Sequence, residues 1–342
     1  MKLREQRVLI FGGTGSLGRA LIRRLAGDNI LSLFSRDEAK HWTIKNQLGR
    51  GSNVEFVVGD IRDASRVEEA LLRFQPTTVI IAAALKQVDT CEISPHESVQ
   101  TNILGIKNVV DGVVRQVDRL KQLDTVLMVS TDKACAPTNV YGMCKAIAER
   151  MVTSSCMALD SPRFVGVRYG NVLESRGSII PLFRWQAEHH SCFTVTHPEM
   201  TRFIMTLDQS IDLIVATTLA AKSGEIWLPK LKAMRILDLA AIFSERFGKP
   251  IDLIGIRPGE KLHEDLLSQP ESVRIRDEDG FYKMSPAHGE VPMNASVFDY
   301  ASNHDLLSKD ELKSYLDSIG IFDRSMKDFV GREIEEIVTT IR

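Results

Sequence analysis

The stretch Arg7-Val8-Leu9-Ile10-Phe11-Gly12-Gly13-Thr14-Gly15-Ser16-Leu17-Gly18 decides the fold. Its first five residues are a compact apolar run of strand length. The glycines follow at once, ahead of Leu17, Ala20, Leu21 and Leu25, which are spaced as on one face of a helix. Glycines at 12, 15 and 18 allow a tight turn, a close backbone approach to a pyrophosphate, and close packing of helix on strand. Strand, glycines and helix in that order predict a dinucleotide site built from Gly12, Thr14, Gly15, Ser16, Leu17 and Gly18. The glycines are spaced three and three, unlike the two and three of the usual fingerprint.

Downstream the same alternation repeats. Ile30–Phe34 reads as a second strand whose tip carries Ser35, Arg36, Asp37 and Lys40. A carboxylate coming first at that tip would hold a ribose 2′-hydroxyl, whereas serine and arginine coming first favour a 2′-phosphate. NADP is therefore expected, with NAD as the alternative if Asp37 holds the ribose and Arg36 is merely solvated. Val54–Asp60 is a third strand, and Asp60 with Ile61 is placed to flank the adenine. Asp63 is placed to cap a helix running to about Phe74. Thr78–Ala84 is a fourth strand, and its small tail Ala82, Ala83, Ala84 leaves room for a cofactor against the backbone. Lys86 follows, either reaching cofactor or substrate or standing as an exposed loop lysine. A helix from about Pro95 to Arg119 leads to a fifth strand, Thr125–Val129. Four strand-helix units before residue 125 predict an α/β fold with a doubly wound parallel (Rossmann) sheet.

The fifth strand delivers Thr131, Asp132 and Lys133 to its carboxyl end, where open α/β sheets keep their ligands. Pro137 breaks the chain, Thr138 or Asn139 can cap a new helix, and Tyr141 and Lys145 then fall four residues apart on one face. An ammonium one turn away favours a phenolate, which would lower the Tyr141 pKa toward neutrality. Thr131 can hydrogen-bond the same substrate oxygen. Asp132 and Lys133 form a second acid/base pair that simple alcohol oxidation does not require. A chance Tyr-x-x-x-Lys and a solvated charged turn would look the same, but the dinucleotide fingerprint upstream weighs against them.

Another strand, Arg163–Arg168, places Asn171 beyond its end, where it could hold a substrate group. From Ser178 the elements shorten into a smaller α/β substrate-binding region, with Ile251–Ile256 a candidate for a last strand of the main sheet. Expected boundaries are 1–175 for the cofactor domain, 176–322 for the substrate region and 323–342 for a terminal helix. Met200-Thr201-Arg202-Phe203 and Arg257-Pro258-Gly259-Glu260 both read as arginine in a turn, suited either to a bidentate grip on phosphate or to ordinary surface ion pairs.

The 342 residues are 44% hydrophobic, enough for a sizeable core. Their 43 basic and 45 acidic side chains give no bulk attraction to nucleic acid or an anionic membrane. The cysteines 91, 135, 144, 156 and 192 are odd in number and scattered, and the eight histidines show no zinc pattern, so no metal is expected. The opening MKLREQRVLIFGG lacks a long apolar region, and no run reaches the ~18 apolar residues of a membrane span. A soluble, cytoplasmic chain is expected.

The wording GGTGSLG (12–18), FSRDE (34–38), AAALKQV (82–88), STDKA (130–134), NVYGMCK (139–145), RYGNV (168–172), MTRF (200–203) and RPGEKLHE (257–264) is specific. It resembles the extended short-chain dehydrogenases that act as UDP-N-acetylglucosamine 4,6-dehydratases, nearest the soluble inverting branch of pseudaminic acid biosynthesis. The resemblance covers residues 7 to 268, and more faintly to 318. It implies Tyr141 as base at the carbon-4 hydroxyl, Lys145 as its electrostatic partner and ribose ligand, and Thr131 as donor to the same oxygen. Asp132 would be the acid for the leaving carbon-6 hydroxyl and Lys133 the base at carbon 5. A UDP-sugar partner follows, with Lys86, Lys133, Asn171, Thr201, Arg202, Arg257 and Glu260 as candidate contacts. So does a homo-oligomer, dimer or hexamer. Related glucose dehydratases carry Asp-Glu in place of Asp132-Lys133, and 4-epimerases carry neither. Cys135 and Cys144 depart from the family wording and leave the exact substrate open. The rival readings are a UDP-sugar 4-epimerase and a non-catalytic NADP-binding regulator.

Overall fold

The computed structural model describes residues 2–323 apart from 49, 50, 176, 290 and 292–294. The terminal helix expected from 323, with its stripe Val330, Ile334, Val338 and Ile341, lies outside the described residues beyond Asp323. The chain forms two compact units: 1–169, 208–230 and 267–299 in the first, and 170–207, 231–266 and 300 onward in the second.

The first unit holds a nine-stranded sheet. Six of its strands are β1 (Arg7–Phe11), β2 (Ile30–Ser35), β3 (Val54–Val58), β4 (Thr78–Ile81), β5 (Thr125–Val129) and β6 (Arg163–Val167). They lie in the order β3-β2-β1-β4-β5-β6, all parallel. The order reverses between β1 and β4, the crevice where doubly wound sheets take their ligands. The strands β4 and β5 are buried throughout, as apolar runs covered by helices on both faces must be. Leu9, Phe11, Val79, Ile81 and Val126 pack with Val67, Leu71 and Phe74 of the Ala64–Phe74 helix and with Val109 and Val113 of the Gly105–Arg115 helix.

Beyond β6 the sheet continues with Ile226–Pro229, parallel, then Phe281–Met284 and Ile275–Glu278 as an antiparallel hairpin. Its two-residue loop, Asp279-Gly280, has φ of +55° and +81°, the left-handed pair of a tight hairpin turn. The candidate last strand lies elsewhere. Ile251–Leu253 pairs with Phe193–Val195 in the second unit, because Asp252 and Leu253 are exposed and the place beside Ile226–Pro229 belongs to the hairpin.

The long helix expected from Pro95 to Arg119 is interrupted by a π-helical turn, Gln100–Leu104. There Asn102 turns inward, accepting from the Leu85 amide at 2.9 Å and donating to the Leu85 carbonyl at 2.8 Å. A turn of this kind lets one side chain leave the helical register to pin a loop.

The second unit is centred on Phe183, Phe193, Leu239, Phe243 and Phe322. Its three-stranded sheet runs Ala233–Arg235, Thr201–Met205, Asn171–Val172.

Candidate active site

Beyond β5 the chain stays tied to the end of β6. Ser130 N donates to Val167 O at 2.7 Å and Asp132 N to Tyr169 O at 2.9 Å. Thr131 caps the short turn Asp132–Ala134 by accepting from Lys133 N. Asn139 Oδ1 then accepts from Gly142 N at 2.8 Å, capping the Val140–Ser154 helix as its sequence suggested, while Glu92 Oε1 accepts from Val140 N at 2.6 Å. A Cβ on Gly142 would fall 2.1 Å from Lys133 O, so only glycine lets the helix lie against the turn. Neither Gly142 nor Asn102 stood out in the sequence. The signal for Gly142 was its place between Tyr141 and Lys145.

This packing brings the five expected catalytic residues together. Thr131 Oγ1 donates to Asp132 Oδ1 at 2.9 Å, and Lys133 Nζ donates to the same oxygen at 3.3 Å. Asp132 is 1% exposed. Lys145 Nζ donates to Val129 O at 2.7 Å. Burial lowers the Lys145 pKa to about 8, with Glu149 pulling the other way. Tyr141 departs from expectation. Burial pushes its phenol well up and the Asp132 charge adds to the rise, with a hydrogen bond to Thr131 opposing both. The lysine expected to lower it is aimed at the Val129 carbonyl.

At the end of β1, Gly12 has φ of +85° and its missing Cβ would lie 2.6 Å from Ala83 N, so the turn is pressed against the Ala82-Ala83-Ala84 backbone after β4. Gly18 is equally constrained, since a Cβ there would fall 2.1 Å from Gly13 O. A Cβ on Gly15 would meet nothing nearer than 3.5 Å. Its amide donates to Gly12 O at 3.2 Å, and Ser16 and Leu17 open the Ser16–Leu25 helix, whose amino end is of the kind that receives a phosphate. Thr14 Oγ1 donates to Ser35 Oγ at 3.0 Å, and Ser35 Oγ meets His41 Nε2 at 2.8 Å. Arg36 is half exposed, with Nη1 3.6 Å from Asp60 Oδ2. Asp37 is held by Lys40, whose amide donates to Oδ1 at 3.0 Å and whose Nζ lies 2.5 Å from Oδ2. Asp60 accepts three bonds from Arg62, from Nε and Nη2 at 2.9 and 2.7 Å and from the amide at 3.0 Å, and Ile61 is buried in the core. Lys86 is exposed on the loop after β4.

The other candidates lie in the second unit. Asn171 Oδ1 is buried and has no hydrogen-bond partner among the described residues, an acceptor suited to a ligand donor. Thr201 and Arg202 are not in a turn. They sit buried in the Thr201–Met205 strand, where Thr201 Oγ1 meets His263 Nδ1 at 2.8 Å and Arg202 Nη1 donates to Thr201 O at 2.7 Å. Arg257 is exposed in a loop and its amide donates to Glu260 Oε2 at 3.1 Å. Among the described residues no cluster of His, Cys, Asp or Glu could hold a metal ion, and no helix is long and apolar enough to cross a membrane.

Residues 8–286 match the family described as "Polysaccharide biosynthesis protein". The chain is 36% identical over 307 residues to a UDP-glucose 4-epimerase of Rickettsia typhi, covering 87% of this chain and 86% of that one. Among solved structures it is similar to Pen from Bacillus thuringiensis, with 33% identity and a TM-score of 0.85 over 94% of this chain and all of the other. The fold is shared with DesIV, a dTDP-glucose 4,6-dehydratase of Streptomyces venezuelae solved with NAD and TYD bound, at 18% identity and a TM-score of 0.65 over 75% of this chain and 86% of that one.

Proposed function

The chain belongs to the polysaccharide biosynthesis protein family, and from that premise we propose that it dehydrates a UDP-N-acetylhexosamine, UDP-N-acetylglucosamine above all. The product is a UDP-4-keto-6-deoxy sugar inverted at carbon 5, made by transient hydride transfer to tightly bound NADP for surface-glycan synthesis. The observation that carries this reading is the Asp132–Lys133 contact of 3.3 Å beside Thr131 and Tyr141. Oxidation alone needs only Tyr141 and Lys145. NADP would supply the hydride acceptor and later donor, and the protein's residues move the protons. Tyr141 takes the proton of the carbon-4 hydroxyl, whose oxygen Thr131 also contacts. Lys133 takes the carbon-5 proton that the new ketone acidifies, and Asp132 protonates the hydroxyl leaving carbon 6. All five cysteines are free, which supports a reducing, cytoplasmic setting.

The Rickettsia relative's name favours a second reading, 4-epimerisation, which makes no use of Asp132 and Lys133. Incubation with UDP-N-acetylglucosamine in heavy water, followed by proton NMR, separates the two. We expect a carbon-6 methyl signal and deuterium at carbon 5. A 4-epimer without a methyl signal would make the protein an epimerase.

The strand tip supports NADP, since Asp37 is engaged by Lys40 while the Arg36 guanidinium is half exposed. Losing a charge-assisted bond to a 2′-phosphate costs about 1.5–3 kcal/mol. Arg36→Ala is therefore expected to weaken NADP binding roughly ten- to hundredfold and to leave NAD binding unchanged, as read by titration calorimetry. Equal losses for both dinucleotides would contradict the assignment.

A further inference from the structure

Beneath the Tyr141–Lys145 face the first unit buries a charge cluster that the proposed chemistry does not use. Arg168, 1% exposed, directly follows β6. Its Nε and Nη2 donate to Glu149 Oε1 and Oε2 at 3.0 and 2.6 Å, and its Nη1 and Nη2 donate to Glu271 Oε2 and Oε1 at 3.0 and 2.9 Å. Four of the five guanidinium N–H groups thus go to two carboxylates, each gripped bidentately. The two buried carboxylates also feel the buried Arg274 and, at Glu149, Lys145, and desolvating so many charges makes the cluster a poor source of stability. A reason other than stability is called for.

The partners of Arg168 supply one. Glu149 lies one helical turn beyond Lys145 on the Val140–Ser154 helix. Glu271 accepts from Ser268 N and Oγ at 3.2 and 2.9 Å and from Cys135 Sγ at 3.3 Å. Cys135 directly follows the Asp132–Ala134 turn, whose Asp132 N is also held by Tyr169 O, the residue next to Arg168. Both halves of the catalytic constellation are thereby fastened to one guanidinium. We propose that Arg168 is a positioning residue, which fixes the spacing between the Asp132-Lys133 turn and the Tyr141-Lys145 helix through Glu149 on one side and Glu271 with Cys135 on the other. The fork geometry suits the task, because two bidentate pairs set direction as well as distance, which a lysine ammonium does not. Burial alone would raise the Glu271 carboxyl, but Arg168 outweighs it and holds the pKa at about 2, so the Glu271 arm of the clamp is charged at any working pH. There is little slack around it, since the helix and turn already touch at Gly142.

The inference rests on Tyr141 and Lys145 as the hydride-transfer pair. The test therefore reads the step that dehydration and epimerisation share. Holoenzyme carrying Arg168→Lys, Glu271→Gln or Cys135→Ser is mixed with UDP-N-acetylglucosamine or UDP-glucose, whichever the parent oxidises, and nicotinamide reduction is followed by absorbance in a single turnover. Misplacement of reacting groups by an ångström costs about a hundredfold. Glu271→Gln, which keeps the shape of the side chain, is expected to slow reduction roughly a hundredfold with sugar-nucleotide affinity nearly unchanged. Arg168→Lys does not restore the rate although it restores the charge, and Cys135→Ser gives a smaller loss. If Arg168→Lys does not fold, Glu271→Gln carries the test alone. Parent-like reduction in a folded Glu271→Gln protein would overturn the proposal, as would a loss of rate matched by an equal loss of affinity. A parent that reduces nicotinamide but releases only a 4-epimer would overturn the dehydratase reading and leave the Arg168 result standing.

Discussion

Tyr141→Phe is expected to lower turnover of the sugar nucleotide by about 10³-fold, within the range for removal of a general base, while dinucleotide affinity stays within about twofold. The size of the effect follows from the environment of the phenol. Burial and the Asp132 charge both raise its pKa, so Tyr141 holds its proton until positive charge is brought near. Two sources would meet that need once a dinucleotide binds: its cationic nicotinamide, and the Lys145 ammonium one turn along the helix on leaving the Val129 carbonyl that now holds it. Lys145 is lowered to about 8, so it remains mostly protonated at pH 7 and loses its charge as the pH rises through about 8. The rate of carbon-4 oxidation should therefore flatten or fall above that pH instead of climbing toward the ordinary phenol range. A single-turnover series across pH reads both effects. A Tyr141→Phe protein within tenfold of the parent would remove Tyr141 as the base.

That reversal of the Tyr141 pKa shows where sequence reading stops. The four-residue spacing of Tyr141 and Lys145 was legible, because helical geometry alone puts them on one face. The direction of the pKa shift was not, because it depends on how deeply the phenol is buried and where Lys145 Nζ points, and both are tertiary facts. The same divide runs through the fold. The parallel core was legible from β1, its glycine turn and the repeating strand-helix alternation. The hairpin that completes the sheet carried a signal in Asp279-Gly280, but the flanking Ile275–Glu278 and Phe281–Met284 alternate too weakly to claim it. The more apolar Ile251–Ile256 drew the assignment instead. Arg202 looked like a turn residue because burial of an arginine needs acceptors such as the Thr201 and Leu262 carbonyls, the second of which lies far along the chain. The Arg168 clamp was hidden for the same reason, since Glu149 is 19 residues away and Glu271 is 103.

Lys133→Ala should separate elimination from oxidation. Lys133 Nζ lies 3.3 Å from Asp132 Oδ1, and that contact bears on how both residues reach their working states. A lysine that takes the carbon-5 proton must first be neutral, and an aspartate that protonates the leaving hydroxyl must first be protonated. One proton passed from Lys133 to Asp132 meets both requirements, and no charge crosses the site boundary. Elimination then returns a proton to Lys133 and takes one from Asp132, so the pair ends as it began. Removing either partner disarms the other, and the two single variants should look alike. Lys133→Ala and Asp132→Asn are each expected to slow the appearance of the carbon-6 methyl signal by about 10²–10⁴-fold. Nicotinamide reduction in a single turnover should stay within roughly tenfold of the parent, because Tyr141 and Lys145 are untouched. Reduced nicotinamide would persist in the variants and be only transient in the parent, since in the variants the hydride has no carbon-6 acceptor to return to. Parent-rate formation of the 4-keto-6-deoxy sugar by both variants would strip Asp132 and Lys133 of these roles. Parent-rate 4-epimer formation, with no methyl signal in any of the three proteins, would move the assignment to the epimerase.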